Sequence, residues 1–208
     1  MTIKPGEPWG RTIDRPIDLV VVAGDAELAR HLASARDGRN GPPVFAVDGD
    51  FARTLGAPMI DGRLTINELP VDLIDIRLDG GAVTATACAH VIISNPWWRG
   101  GWWRGSVVVV MNAEYIGEWD VAPRGHPNDG RVEVFEIGST FGVRMRWQAR
   151  RRVRSATHVP HPGIDTRTVR TASWSFGKPM SIAVDGRRIG SAAAVEVTVA
   201  PDAAVVYA

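Results

Sequence analysis

The feature that most narrows what this chain can fold into is a change of hydrophobic period near residue 64. Before it, "IDLVVVAGDAELARHLASAR" reads as a strand from Ile17 to Ala23, a turn at Gly24 and a helix from about Ala26 to Ala35. The strand is a continuous β-branched run, as expected of a parallel strand covered on both faces. Asp25 stands where a helix N-cap belongs. "VFAVDGD" follows as a second strand, and "FARTLGAP" as a short helix closed by Gly56 and Pro58. Strand, helix, strand, helix is the order of a small α/β unit.

From Leu64 onward, short alternating strands are separated by Asp-Gly, Asn-Asp-Gly and Gly-Arg turns. "DLIDIRLDGGAVTATACAHVII" predicts a hairpin about Asp79, Gly80 and Gly81. "SVVVVMNAEY", "GRVEVFEI", "ASWSF", "MSIAVDG", "AVEVTVA" and "AVVYA" predict further strands. One helix interrupts them, Phe141 to about Val153. Its apolar stripe is Phe141, Met145, Ala149 and Val153, and Arg144, Arg150, Arg151 and Arg154 stand on the other faces. The fold class is therefore α+β, with an N-terminal α/β part over residues 1–63 and a β-rich part over residues 64–208.

Composition enters through what it excludes. A net charge of +1, with arginines crowded only between 144 and 154, marks no nucleic-acid groove, so no nucleic-acid partner is expected. The single cysteine, Cys88, lies in a small apolar stretch and reads as a buried, inert thiol suited to a reducing cytosol. No leader pattern and no run of about 18 apolar residues occurs. The reading is a soluble cytoplasmic protein, with peripheral membrane contact left open.

"NPWWRGGWWRG", residues 95–105, concentrates four tryptophans and two arginines. Paired indoles flanking Gly-Gly can stack across a hairpin, cap the open end of a β-domain, or meet a membrane or a partner. The arginine-rich helix can present a solvated face or hold anionic headgroups. His158 and His161 are three apart, but Pro160 and Pro162 forbid a regular helix, so a rigid turn is expected there rather than a metal site.

Three stretches in order, "LVVVAGDAE", "VDGDFARTLGAP" and "NAEYIGEWDVAPRGHPNDGRVEVFEI", resemble the bacterial diacylglycerol kinase and lipid kinase family. "THVPHPGI" and "SIAVDGRRIGSAAAVEVTVAPDAAVVY" extend the resemblance to nearly the whole chain. It implies a reduced, NAD-kinase/diacylglycerol-kinase-like nucleotide domain followed by a C-terminal β-sandwich, and transfer of phosphate from ATP, with Mg²⁺, to a lipid hydroxyl. The family's Gly-Gly-Asp-Gly-Thr loop falls on Ala23 to Glu27, where Gly24 and Asp25 match and Glu27 replaces a hydroxyl. Its second nucleotide motif falls on Ala46 to Arg53, where Asp50, Phe51, Ala52 and Arg53 match. Gly24, Asp25, Asp50 and Arg53 are thus the implied nucleotide contacts, and Asp129, in an Asp-Gly turn, the implied metal support. Asp185 is the implied general base, although Asp185-Gly186 also reads as a plain hairpin turn. Arg187 stands where the family has glutamate, and an adjacent positive charge should depress the pKa of Asp185.

These departures lead to the expectation of a diacylglycerol kinase-like protein with weakened or lost lipid phosphorylation that binds a lipid or membrane surface, a nucleotide or a protein partner. Two alternatives stand beside it: an active kinase using ATP and Mg²⁺, and a structural subunit that forms a homodimer through open strand edges.

Overall fold

The computed structural model describes residues 8–36, 41–60, 62, 64–153 and 163–208. His158, His161 and Arg154 lie outside the described residues. In chain order the elements are β1 (Arg11–Asp14), β2 (Val20–Ala23), α1 (Asp25–Arg36), β3 (Val44–Asp48), α2 (Asp50–Thr54), β4 (Thr65–Leu78), β5 (Val83–Ala87) and β6 (His90–Ser94). They continue with β7 (Val107–Met111), β8 (Tyr115–Ile116), β9 (Trp119–Asp120), β10 (Val132–Ile137), α3 (Val143–Val153), β11 (Ile164–Val169), β12 (Thr171–Val184) and β13 (Arg187–Tyr207).

The α/β unit forms where the hydrophobic pattern predicts it. β2 and β3 are parallel, with α1 as their crossover. Leu28, Ala29 and Leu32 of α1 bury against Val22, Val44 and Ala46. One expectation is corrected here. β2 pairs only with β3 among the described residues, and Val21 is 47% exposed while Val22 is buried, so this strand is an edge covered on one face. Ile17, predicted to open the strand, lies outside it and is fully exposed.

The β-rich part is mostly antiparallel, in the order β1-β4-β13-β12-β6-β7-β10-β11, with β5 paired to β4. Ile74 and Ile76 of β4 share one core with Val132 and Val134 of β10, although four strands separate β4 from β10 along the sheet. The sheet therefore curls over on itself into two facing layers, and its inner faces carry the alternating apolar positions. Two pairs of predicted strands merge. "ASWSF" and "MSIAVDG" are one strand, β12, whose register against β13 shifts between Ser175 and Met180. "AVEVTVA" and "AVVYA" are both part of β13, whose register against β4 shifts between Ala200 and Ala204. Proline and turn residues at Pro179 and Pro201-Asp202 look like breaks locally. In the fold they mark bends in long strands.

The end of β13 pairs in parallel with β3 through Tyr207 and Phe45, so one sheet passes through both parts. Leu69, Val71, Leu73, Ala204 and Val206 close the core of the α/β unit from the β side. Cys88 is fully buried in that same core, and burial pushes its thiol well above the ordinary range, as the sequence predicts.

The tryptophan stretch is not a β-hairpin. It forms two turns of 3₁₀ helix, Trp97–Arg99 and Gly101–Trp103, joined through Gly100 at φ 97°. The amide of Asn95 closes the loop on the Arg104 carbonyl at 2.8 Å. α3 forms as predicted, and Phe141 of the predicted stripe is buried just ahead of it, but Met145 is 41% exposed and Arg146 is buried instead; the side chains of 149–153 lie outside the described residues.

Buried polar anchoring also fixes the loops around β4. The Asp72 carboxylate, with no exposure, accepts the Gly130 amide at 2.6 Å and the Asp202 amide at 2.8 Å, tying the turn before β10 to the bend in β13. Asp72→Ala leaves both donors without their acceptor and is expected to lower stability by about 2–4 kcal/mol. Asp72→Asn retains one acceptor and should lose about half of that, read as the shift in urea midpoint at constant slope.

Candidate functional site

β12 returns into β13 through two residues, with Val184 opposite Arg187. Asp185 (φ 47°) and Gly186 (φ 76°) have the two positive φ values that a type I′ turn requires. The aspartate does more than turn the chain. Its side chain folds inward onto the bend between β5 and β6, where Oδ2 accepts the Cys88 amide at 2.9 Å. Oδ1 accepts the amides of Ala89 at 2.9 Å and His90 at 2.8 Å. The Asp185 amide in turn donates to the His90 carbonyl at 2.9 Å. Turn and bend are locked together.

Asp25 opens α1, yet its carboxylate caps a different helix. It accepts the amides of Asp50 and Phe51, both at 2.9 Å, at the start of α2. The expected cap of its own helix is thereby corrected: the carboxylate reaches across to the neighbouring helix. Gly49 makes this contact feasible, because a Cβ there would stand 2.4 Å from Asp25 Oδ1 and because its φ is 107°. The Cys88 thiol lies 3.4 Å from the Asp25 carbonyl and donates to it.

Asp50 is held by the Gly117 amide, 2.5 Å from its Oδ1. Its Oδ2 lies 3.6 Å from Nδ1 of His90, which is 3% exposed. That separation is too long for a hydrogen bond. Single ligand atoms from Asp25, Asp50 and His90 all fall within 4.8 Å of one another.

These carboxylates, His90 and Asp185 form one end of a cavity of about 500 Å³. Its walls are apolar: Ile92, Val109, Phe135, Ile137 and Ile164, with Trp102 and Trp103 from the tryptophan loop. Trp97 and Trp98 instead face solvent at 83% and 62% exposure, edge to face with centroids 6.0 Å apart. Arg146 holds the tryptophan loop against α3. Its guanidinium donates to the carbonyls of Phe141 (2.7 Å), Trp102 (2.5 Å), Gly138 (3.2 Å) and Gly105.

Burial decides the electrostatics. It pushes the Asp185 carboxyl up to about 7 despite three N–H bonds that favour the anion, with the Asp25 charge adding to the rise. The predicted depression by Arg187 is overturned, because Arg187 is exposed on β13 while Asp185 is buried. Asp25 rises to about 6, chiefly through burial, with Asp50 and Asp48 contributing. Burial lowers the pKa of His90, against the pull of Asp50, and so favours a neutral imidazole.

The structure brings Asp25, Asp50 and Asp185 together and places Gly24 beside them, its amide on the Asp48 carbonyl at 3.1 Å. Arg53 is turned away. It donates to the Gly117 carbonyl at 2.5 Å and stacks 4.2 Å over the Tyr115 ring, bracing the β8–β9 hairpin. Asp129 lies apart, accepting the Arg131 amide at 2.8 Å near His126 and Asp72. Glu27, predicted to crowd the nucleotide loop, stands on α1 with its side chain 45% exposed and 3.8 Å from Arg30. His90 and Arg146 escaped sequence reading. A histidine opening a β-branched run and one arginine among many carry no local signal of where they point.

No protein-family model and no curated protein sequence matches the chain. Solved structures do. Two are described as candidate diacylglycerol kinases from Bacillus anthracis strain Sterne, at 13% and 14% identity with TM-scores of 0.61 and 0.59; each match covers 91% of this chain and 77% of the other. A third, described as a diacylglycerol kinase from the same strain, is 14% identical with a TM-score of 0.61, covering 91% and 75%. The chain shares their fold. Among the described residues no helix is long and apolar enough to cross a membrane.

The raised carboxyls give a pH dependence of definite sign. Folded Asp185 and Asp25 bind protons more tightly than in the unfolded chain, where aspartate titrates near 3.8. Their contribution to stability is full below about pH 4 and is lost as pH rises through about 6 and about 7. Denaturant titrations between pH 4.5 and 8 should show this decline, and Asp185→Asn should remove its upper part.

Proposed function

We propose that this chain, on a diacylglycerol kinase fold, binds a lipid in the apolar cavity with a hydroxyl-bearing headgroup at Asp185, and that phosphate transfer from ATP is weakened or lost. The cavity carries this reading. Its volume of about 500 Å³ lies within the range of ligand sites, and its walls are hydrocarbon and indole with Asp25, Asp50, His90 and Asp185 gathered together, the polarity profile of an amphiphile.

The triphosphate fits poorly. The first two amides of α2, which could receive a phosphate, already serve Asp25. Asp25, Asp48 and Asp50 gather around the same turn, and each carboxylate repels a phosphate at about 4 Å by roughly 1 kcal/mol in water and roughly 4 at an effective dielectric of 20. Arg146, the one arginine or lysine among the described residues lining the cavity, is committed to four carbonyls. Phosphoryl transfer rests on positioning and charge neutralisation, and both are reduced here.

One observation favours the second reading, an active kinase. A carboxyl tuned to about 7 beside a hydroxyl site is matched to accepting a proton at neutral pH. Asp25 and Asp50 would then hold Mg²⁺, which would screen the phosphate charge.

Organic extraction of purified protein followed by mass spectrometry should recover a bound lipid, and Ile137→Glu, which places a charge on the apolar wall, should lower its occupancy about tenfold or more. Millimolar Mg·ATP should leave the melting temperature unchanged. A clear rise, together with labelled phosphate passing to lipid, would establish the kinase instead.

The exposed Trp97 and Trp98 and the cavity-lining Trp102 and Trp103 belong to one loop, so we propose that lipid enters from a membrane surface at this rim. Replacing Trp97 and Trp98 together by Ala should reduce co-sedimentation with phosphatidylglycerol vesicles several-fold while leaving the melting temperature within about 2 °C, since neither indole is buried.

A further inference from the structure

We infer that Asp25, Asp50 and His90 form a site for one first-row transition-metal dication, Mn²⁺, Co²⁺ or Zn²⁺, selected over Mg²⁺ by the His90 imidazole. The three residues come from the start of α1, the start of α2 and the start of β6. A gathering of carboxylates alone would say little, since such groups are common without an ion.

The independent observation is His90. Its side chain is 97% buried, and its Nδ1 is buried without a hydrogen-bond partner while facing Asp50 across 3.6 Å. A buried nitrogen left unsatisfied is a standing penalty unless something outside the chain meets it. Its surroundings favour neutral imidazole, the form that ligates metal.

The spacing suits a cation. With metal bonds of about 2.1 Å, ligand atoms at right angles lie about 3 Å apart and opposed ones about 4.2 Å. The gap of 3.6 Å and the outer limit of 4.8 Å need closure by only a few tenths of an ångström per ligand. Lone pairs are available. Each oxygen of Asp25 accepts one amide, and Asp50 Oδ2 faces the histidine while Oδ1 takes the Gly117 amide. The ligands are also held in place. Two backbone hydrogen bonds to Asp185 clamp His90, and the α2 cap fixes Asp25.

Two carboxylates and an imidazole suit manganese, cobalt or zinc better than magnesium, which prefers all-oxygen surroundings and keeps its waters. A cation there would offset the crowded negative charge at the polar end of the cavity and present open coordination positions to whatever oxygen lies beside Asp185. The site stands whether or not a lipid fills the cavity.

The test uses the full chain, treated with chelator and extracted of lipid, titrated with MnCl₂, CoCl₂, ZnCl₂ or MgCl₂ by calorimetry. One Mn²⁺ or Co²⁺ per chain should bind, at least tenfold tighter than Mg²⁺. His90→Gln should weaken Mn²⁺ at least tenfold while leaving Mg²⁺ within about threefold. Because that variant could fail to fold, pulsed electron paramagnetic resonance of Mn²⁺ bound to the unaltered chain provides a second readout, which should show a directly coordinated imidazole nitrogen. Less than about 0.1 Mn²⁺ per chain, equal affinity for Mn²⁺ and Mg²⁺, or bound Mn²⁺ with no nitrogen coupling would overturn the assignment. Loss of lipid binding with metal binding intact would count against the proposed function alone.

Discussion

One buried carboxylate organises the working end of this molecule. Asp185, at the turn joining β12 and β13, reaches into the bend between β5 and β6 and takes three successive amides. Without that acceptor the bend would expose three donors to a dry interior, at about 1–3 kcal/mol each. With it, the chain direction at Cys88 to His90 is set, and so are the positions of the groups carried on it. His90 is aimed at Asp50, and the Cys88 thiol is placed on the carbonyl of Asp25.

Asp25 repeats the device one layer away. A carboxylate at the head of one helix satisfies the head of the next, joining the two helices of the α/β unit. Satisfying the backbone in this way gathers negative charge in a low-dielectric region. Its consequence is a pair of carboxyls that titrate near 6 and 7 rather than near 4. Structure and chemistry are therefore not separable at this site. The same two side chains close the fold, shape the polar end of the cavity and set its charge.

Another part of the cavity wall is built on a cation. Arg146 is buried and is satisfied by four carbonyls that belong to the tryptophan loop and the segment leading into α3. A guanidinium can serve that many acceptors because its donors fan out in one plane. Two of the four carbonyls belong to Trp102 and Gly105, so the backbone of the loop that carries the cavity-lining indoles is tied to the buried guanidinium.

Local chemistry was legible in the amino-acid order. Asp185-Gly186 and Asp79-Gly80 announce turns because few other residues enter positive φ, and the change of period near residue 64 separates the helical crossovers from the strands because burial on one face imposes the spacing. The order of matched motifs pointed to the fold that the solved structures share. What could not be read there depends on depth and on distant partners. Arg187 close to Asp185 in sequence suggests a lowered pKa, but the carboxylate folds inward from the turn while Arg187 stays exposed on β13, and burial of the carboxyl reverses the sign. Asp25 caps a helix 25 residues away, Met145 of the stripe assigned to α3 is exposed while Arg146 is buried, and His90 comes to face Asp50 only when β6 is laid beside α2. Turn and strand preferences are properties of a few adjacent residues. Desolvation and convergence exist only once remote segments share the same volume.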